Sequence, residues 1–304
     1  MIAVVGGGLI GACVAFELHD AGQDVVVFDA ALPGAAWKAS AGLLTPSNER
    51  LAGTPLEADA RESLQLWPAF AARLERAAGD SVHYREVADD TTEFQRGEGQ
   101  VHPPSVRRAA LAHVSVCPTR VRRVYTYGSR LGLRTDDGTV HAEAVIMACG
   151  AWSADFGLPV WASQGQALLL RGAAEHSPRY ARARRGFSLY ALGRPDGMYV
   201  GATSRASNDT LGDPWAARWL TLAASQLLGD DVAERVEAQL VGLRPVTADG
   251  RPIVGPHPHL AGVFVATGHG RHGALLAPLT AARCLAWVEQ RVSCEREIHP
   301  QRRV

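Results

Sequence analysis

Gly6, Gly8 and Gly11 interrupt an apolar run near the start of the chain, and an acid, Asp29, ends the next apolar run. The order is a strand pattern from Ile2 to Val5, a glycine turn, a helical pattern, a second strand pattern from Val25 to Phe28, and a carboxylate. That is the βαβ unit that holds an adenine dinucleotide, and each part has a physical task. Gly6 permits the tight turn, Gly8 lets the backbone approach a pyrophosphate, and Gly11 lets the helix pack against the sheet. Leu9 and Ile10 are expected among the cofactor-binding residues of this turn, and the helical pattern that resumes after Gly11 offers free N–H groups and a partial positive charge that suit phosphates. Asp29, with Ala30 beside it, stands where an acceptor meets ribose hydroxyls. A secretory leader is not expected over these residues, because no basic segment comes first and Glu17, His19 and Asp20 break the apolar run.

Other chemistries are poorly supported. His257, His259, His269 and His272 lack the cysteines or carboxylates that would complete a metal site. No Ser/His/Asp or paired-carboxylate arrangement stands out. Lys38 is the only lysine, so lysine-based catalysis is not expected. The five cysteines are odd in number and show no CxxC spacing, which fits free thiols in a reducing, cytoplasmic setting. Cys13 and Cys284 fall in apolar helical patterns and are expected in the core.

The elements that must position this chemistry belong to a chain of 304 residues, 47% hydrophobic, with zero formal charge. A chain of this length buries roughly three quarters of its unfolded surface. Neutral charge argues against nucleic acid as a partner, and no apolar stretch reaches the roughly 20 residues that span a bilayer. Helical spacing covers 57–78, 214–238 and about Leu275 to Arg291, with Pro278 placed in the first turn of the last helix. From Val116 the pattern turns β, with a hairpin turn at Asp136-Asp137-Gly138 and a buried-strand run at Val145 to Ala148, and residues 163–204 alternate as an antiparallel sheet does, with a turn at Arg194-Pro195-Asp196-Gly197. The expected fold is α/β: a Rossmann-like dinucleotide-binding domain of 1–84, 102–160 and 245–292, and an inserted, mostly antiparallel domain of 85–101 and 161–244. Residues 293–304 are expected to form a disordered tail.

Four segments together resemble one family, the flavin-dependent amino-acid oxidases of the glycine oxidase and D-amino-acid oxidase type. They are GGGLIG at 6–11, ASAGLLTP at 39–46, ACGAWS at 148–153, and GLRPVTADGRPIVGP at 242–256 with ATGHGRHGALLAP at 266–278. The resemblance runs from Ile2 to about Val288 and is carried most specifically by the last pair. It implies noncovalent FAD. It also implies hydride transfer from the substrate Cα to flavin N5, yielding an imine, then a 2-oxo acid, ammonia and hydrogen peroxide, with a place in thiamine biosynthesis for a glycine-specific member. The partners implied are a small amino acid or amine and oxygen or another acceptor; a homo-oligomer is expected on base rates.

Within that resemblance, Gly268, His269, Gly270, Arg271, His272, Gly273 and Ala274 lead into a helix whose positive end can stabilise charge on a reduced flavin. Arg244, between Leu243 and Pro245, matches the arginine that clamps the substrate carboxylate, a task suited to a planar guanidinium. Tyr190 falls where such oxidases hold a tyrosine over the active site, although the same alternation fits a sheet tyrosine. Arg271 either adds positive potential at the carboxylate or holds its loop. Ser40, Ala41, Gly42 and Leu43 are expected to line the flavin, Ala148, Gly150 and Trp152 to belong to a phosphate-side loop, and Val121 to meet the adenine.

The chain departs from the family pattern at four places. Gly270 replaces an aromatic, His272 replaces an asparagine or aspartate, Trp37 replaces a small hydroxyl residue near the phosphates, and the segment between Tyr84 and Val101 is short. The lysine and the flavin-linking cysteine of sarcosine oxidases are both missing. Three alternatives stay open: a D-amino-acid dehydrogenase using another acceptor, a catalytically inactive flavoprotein, and a nicotinamide-only dehydrogenase.

Overall fold

The computed structural model describes residues 1–90, 94–172, 179–182, 188–229 and 231–298. The short β-branched and apolar runs form a parallel sheet, because both of its faces are covered and neither side of a strand meets water. Strand Ile2–Val5 is central. Val25–Phe28 and then Ser115–Cys117 pair parallel on one side, and Ala144–Met147 and then Val263–Thr267 on the other. Ile253–Pro256 closes the latter edge in the antiparallel sense.

One face of this sheet is covered by α1 (Leu9–Asp20), α2 (Glu57–Ala78), α3 (Pro103–Ala110) and the last helix, α5 (Gly273–Ile298). The other face buries Ala3, Val5, Val145 and Met147 against Val124, Leu131 and Leu133 of a three-stranded antiparallel sheet spanning Val121–Ala142. A second large sheet is antiparallel. Trp161–Leu170 pairs with Gly197–Gly201 and Val236–Val246, and Ser188–Arg194 pairs with Gly197–Gly201. Helix α4 (Pro214–Leu228) covers its apolar side through Leu220 and Ala224. Within the segment before α3, Gly99–Gln100 pairs with Leu43–Leu44 and Arg85–Glu86 as a small sheet. Among the described residues, no helix is long and apolar enough to cross a membrane.

Three element boundaries differ from the sequence reading. Helix α4 stops at Leu228 instead of continuing to 238, because Gly229 adopts a left-handed φ of 73° and caps it; Val236 already begins a strand. Helix α5 starts at Gly273 and continues to Ile298 instead of yielding to a disordered tail from 293; 299–304 lie outside the described residues. Pro278 therefore falls in the second turn, where its missing N–H interrupts the hydrogen-bond ladder. Ser63 of α2 bridges the next rung, between Leu275 and Leu279. Its hydroxyl donates to the Leu275 carbonyl at 2.7 Å and accepts the Leu279 N–H at 3.3 Å, while Trp67 Nε1 also donates to Leu275 O at 3.2 Å.

Candidate active site

A cleft of about 1150 Å³ opens where the parallel strands end and the antiparallel sheet begins. Of the candidate cofactor and substrate residues named from the sequence, all but Gly11, Gly268 and His272 line it. Gly11 sits behind the turn, where a Cβ would come within 1.8 Å of the Gly6 carbonyl oxygen, so its task is close packing. Gly268 makes the turn into the following loop with φ +78°, against Thr247. His272 points to Glu49 instead, with Nε2 3.3 Å from a carboxylate oxygen.

At one end of the cleft lie Asp29, Val121 and Gly8. A Cβ built on Gly8 meets nothing nearer than Trp37 at 3.8 Å, so the backbone here is open to a ligand. Asp29 is more engaged than the sequence suggested. One carboxylate oxygen accepts the Ala31 N–H at 3.1 Å, and the other accepts Arg107 Nη2 at 2.9 Å. Arg107, from α3, also donates Nε to the Gly7 carbonyl at 2.5 Å. Further along, the loop at Gly150–Phe156 is tied to the sheet: Ser153 donates to the Thr267 hydroxyl at 2.8 Å, which donates to Gly150 O at 3.1 Å.

Toward the other end, Arg244 lines the cleft and donates Nη1 to the Thr203 carbonyl at 3.1 Å. Its guanidinium lies over Gly165 of the neighbouring strand, where a Cβ would stand only 2.1 Å from Nη2. The rings of Tyr190 and Tyr199 stack with centroids 5.9 Å apart. The Tyr190 hydroxyl donates to that of Tyr199, which donates to Ala39 O at 3.0 Å. Burial holds both phenols above the ordinary value of 10.0, while the positive charge of Arg244 opposes the shift in each. Both tyrosines thus remain neutral hydrogen-bonding groups beside a fixed cation.

The segment 34–43 forms the wall between these two ends and is stitched to the antiparallel sheet. Leu243 N–H donates to Gly34 O at 2.8 Å, and the fully buried Arg194 donates Nη1 to Ser40 O at 3.0 Å. Arg194 is balanced by Asp196, with Nη2 at 2.6 Å, and this pairing with Arg194 and His102 holds the Asp196 carboxyl well below the usual range against the opposing effect of burial.

The loop before α5 is built differently from a cationic site. His269 is buried, its Nε2 is 2.9 Å from the Thr280 hydroxyl, and burial drives its pKa down to about 3, so the imidazole is neutral. Arg271 is exposed, with Nε paired to the Glu49 carboxylate and Nη2 donating to Glu49 O at 3.1 Å. Its geometry is that of a residue holding the loop against the 45–54 segment. The start of α5, whose Gly273 and Ala274 line the cleft, adds the positive end of the helix to the charge of Arg244.

Sequence reasoning missed Gly165, Thr203, Tyr199, Glu49, Arg107 and Arg194. The alternation around Tyr199 could have placed it on the face of Tyr190, since both lie on adjacent strands. The others are joined by contacts between segments distant in sequence, for which the chain offers no local signal.

The elongated cleft, its open glycine backbone and the two helix starts facing it fit an FAD molecule. The comparisons agree. The family model described as DAO, FAD dependent oxidoreductase, matches residues 1–101 and 93–287. Glycine oxidase from Geobacillus kaustophilus is 29% identical over 95% of this chain and 93% of its own length; that from Pseudomonas aeruginosa is 30% identical over 94% and 93%. The crystal structure of the G. kaustophilus enzyme superposes with a TM-score of 0.83 at 28% identity, covering 95% of this chain and 94% of that one. The resemblance read from the four sequence segments is thus borne out, as are the Rossmann-like FAD-binding fold and amino-acid oxidoreductase activity. The chain belongs to the DAO family of FAD-dependent oxidoreductases.

Proposed function

We propose that the protein oxidises a small amino acid, glycine or a D-amino acid, to its imine, which water converts to a 2-oxo acid and ammonia. The observation that carries this reading is Arg244, held beside the neutral Tyr190–Tyr199 pair where a carboxylate can dock. Arg244 binds and orients the carboxylate, and Tyr190 closes the cleft over it. FAD, when bound, supplies the acceptor for the two electrons. The three carboxylates lining the cleft are all ion-paired among the described residues: Asp29 with Arg107, Asp155 with Arg120 and Glu49 with Arg271. No free carboxylate takes the ammonium proton, so the substrate reacts as the amine, and kcat/KM rises with pH until that amine is deprotonated.

The division of labour that goes with this reading gives 1–84, 102–160 and 245–292 to the cofactor and 85–101 and 161–244 to the substrate. Oxygen as the acceptor, with hydrogen peroxide as product, follows the glycine oxidase relatives. A contribution to thiamine biosynthesis is supported by a "Bifunctional protein ThiO/ThiG" of Trichormus variabilis, 28% identical over 92% of this chain and 51% of that protein. A dehydrogenase passing electrons elsewhere is the second reading, favoured by a 25% identical D-proline dehydrogenase from Pyrobaculum islandicum. Anaerobic mixing with glycine, sarcosine and separate D- and L-amino acids tests the first step through bleaching of the flavin band. Admitting oxygen and measuring peroxide separates the two readings. Failure of every amine to bleach the flavin would remove both.

A further inference from the structure

We propose that Arg107, Trp37 and Lys38 form a cationic clamp on the diphosphate of the ADP half of the cofactor, an inference that rests on the FAD reading of the cleft. All three line the cleft beside Gly8, and Trp37 is the nearest side chain to the open face of that glycine. The Arg107 guanidinium lies 4.7 Å from the centre of the Trp37 ring, and Lys38 Nζ lies 5.7 Å from it. Both distances are within cation–π range, so the indole gathers two positive groups at one place.

Each cation keeps donors that the described residues do not use. Arg107 gives Nε to Gly7 O and Nη2 to Asp29, and its Nη1 has no hydrogen-bond partner among the described residues. Lys38, the chain's only lysine, is exposed and has no anionic partner among them. The other cation toward the adenine end, Arg120, is occupied by Asp155 at 2.9 Å. Asp29 already balances Arg107, and Lys38 adds an uncompensated charge. A diphosphate carries the negative charge and acceptor oxygens to complete both groups. The bulky Trp37, in place of a small hydroxyl residue, then serves as the platform that orients two donors rather than as a donor itself.

The rival explanation is a strut: Arg107 steadies Asp29 and the glycine turn and never meets phosphate. The two differ in which half of the nucleotide loses affinity. The full-length protein is stripped of FAD and titrated calorimetrically with FAD, ADP and adenosine, comparing wild type with Lys38→Met, Arg107→Met and Arg107→Lys. The clamp requires ADP and FAD to bind roughly tenfold or more weakly in each methionine variant. Adenosine should change less than about twofold, and Arg107→Lys should recover part of the loss, as fits a retained charge without the planar fork. The salt dependence of ADP binding should flatten in Lys38→Met.

Equal losses for ADP and adenosine in Arg107→Met, with Lys38→Met unchanged, would establish the strut and overturn the clamp. Unchanged ADP affinity in both methionine variants would overturn it as well, while leaving FAD binding intact. Wild-type protein that binds neither FAD nor ADP would overturn the cofactor reading and the clamp together. Because Lys38 is exposed, its variant remains decisive even if Arg107→Met fails to fold.

Discussion

Replacing Gly165 with alanine would perturb substrate binding without removing any group that contacts substrate. The added Cβ would lie 2.1 Å from Nη2, 2.2 Å from Cζ and 2.3 Å from Nη1 of Arg244. Ordinary contact begins near ~3.5 Å, so the guanidinium must retreat by about 1.4 Å. It can do so by rotating its own stem, since the clash is with the end of a flexible side chain rather than with backbone. The fold should therefore lose no more than about 1 kcal/mol, while the clamp for the carboxylate is displaced. A charge-assisted hydrogen bond contributes roughly 1.5–3 kcal/mol, so carboxylate affinity should fall about 10- to 100-fold. The assay is titration of the FAD-loaded protein with a small carboxylate such as propionate, followed by the flavin spectrum, beside an amine that lacks a carboxylate. Gly165→Ala should weaken the acid and leave the plain amine unchanged. Wild-type affinity for the acid in a folded, yellow Gly165→Ala protein would refute the placement of Arg244 as the carboxylate ligand.

Three further outcomes follow from packing and charge. His269 is neutral when folded, with a pKa near about 3 against 6.5 for the free side chain; its contribution to stability is complete above pH 6.5 and declines as pH falls from there toward 3, at up to about 1.4 kcal/mol per unit, because only the unfolded state gains the proton. Urea unfolding at pH 7.5, 6 and 5 should show this slope, and His269→Gln should reduce it. Ser63→Ala removes the hydroxyl that bridges Leu275 and Leu279 beside Pro278 in α5 and should lower stability by about 1–3 kcal/mol, read as a lower Tm, with unchanged stability contradicting the bridging role. Gly11→Ala drives a Cβ into the Gly6 carbonyl and should open the glycine turn at a cost of about 1–3 kcal/mol, leaving the purified protein depleted of FAD; a normal flavin content would show that the turn tolerates the change.

The parts of this molecule that announce themselves in the sequence are those whose physics is local. The turn at Gly6 to Gly11 and the runs around it are legible because both the tight bend and the doubly buried strands restrict residue choice over a few positions. Helix α2 is legible at its ends, 57 and 78, for the same reason. The end of α5 was misjudged because its charged Cys294-Glu295-Arg296-Glu297 stretch resembles a solvated tail, although glutamate and arginine are good helix formers. In the site, Arg244 was legible from its motif, but its platform was not. Gly165 meets it only because the register of two long strands sets Ser163 opposite Arg244. For Arg271 the sequence left two roles open, potential at the carboxylate or holding its loop, since Glu49, which pairs with it, lies far away in the chain and becomes a neighbour only on folding.

The bonds from Leu243, Tyr199 and Arg194 to the carbonyls of Gly34, Ala39 and Ser40 bind the 34–43 wall to the antiparallel sheet along its length. These seams oppose a parting of the two layers like a jaw. At the rim, the 45–54 segment meets the loop before α5 and is held there by Glu49 and the exposed Arg271. That fastening is ionic and wet, and so sensitive to dissolved salt in a way the sewn wall is not. If product escape through this rim limits turnover, the enzyme will run faster as ionic strength rises, its doorway loosening while its floor stays still.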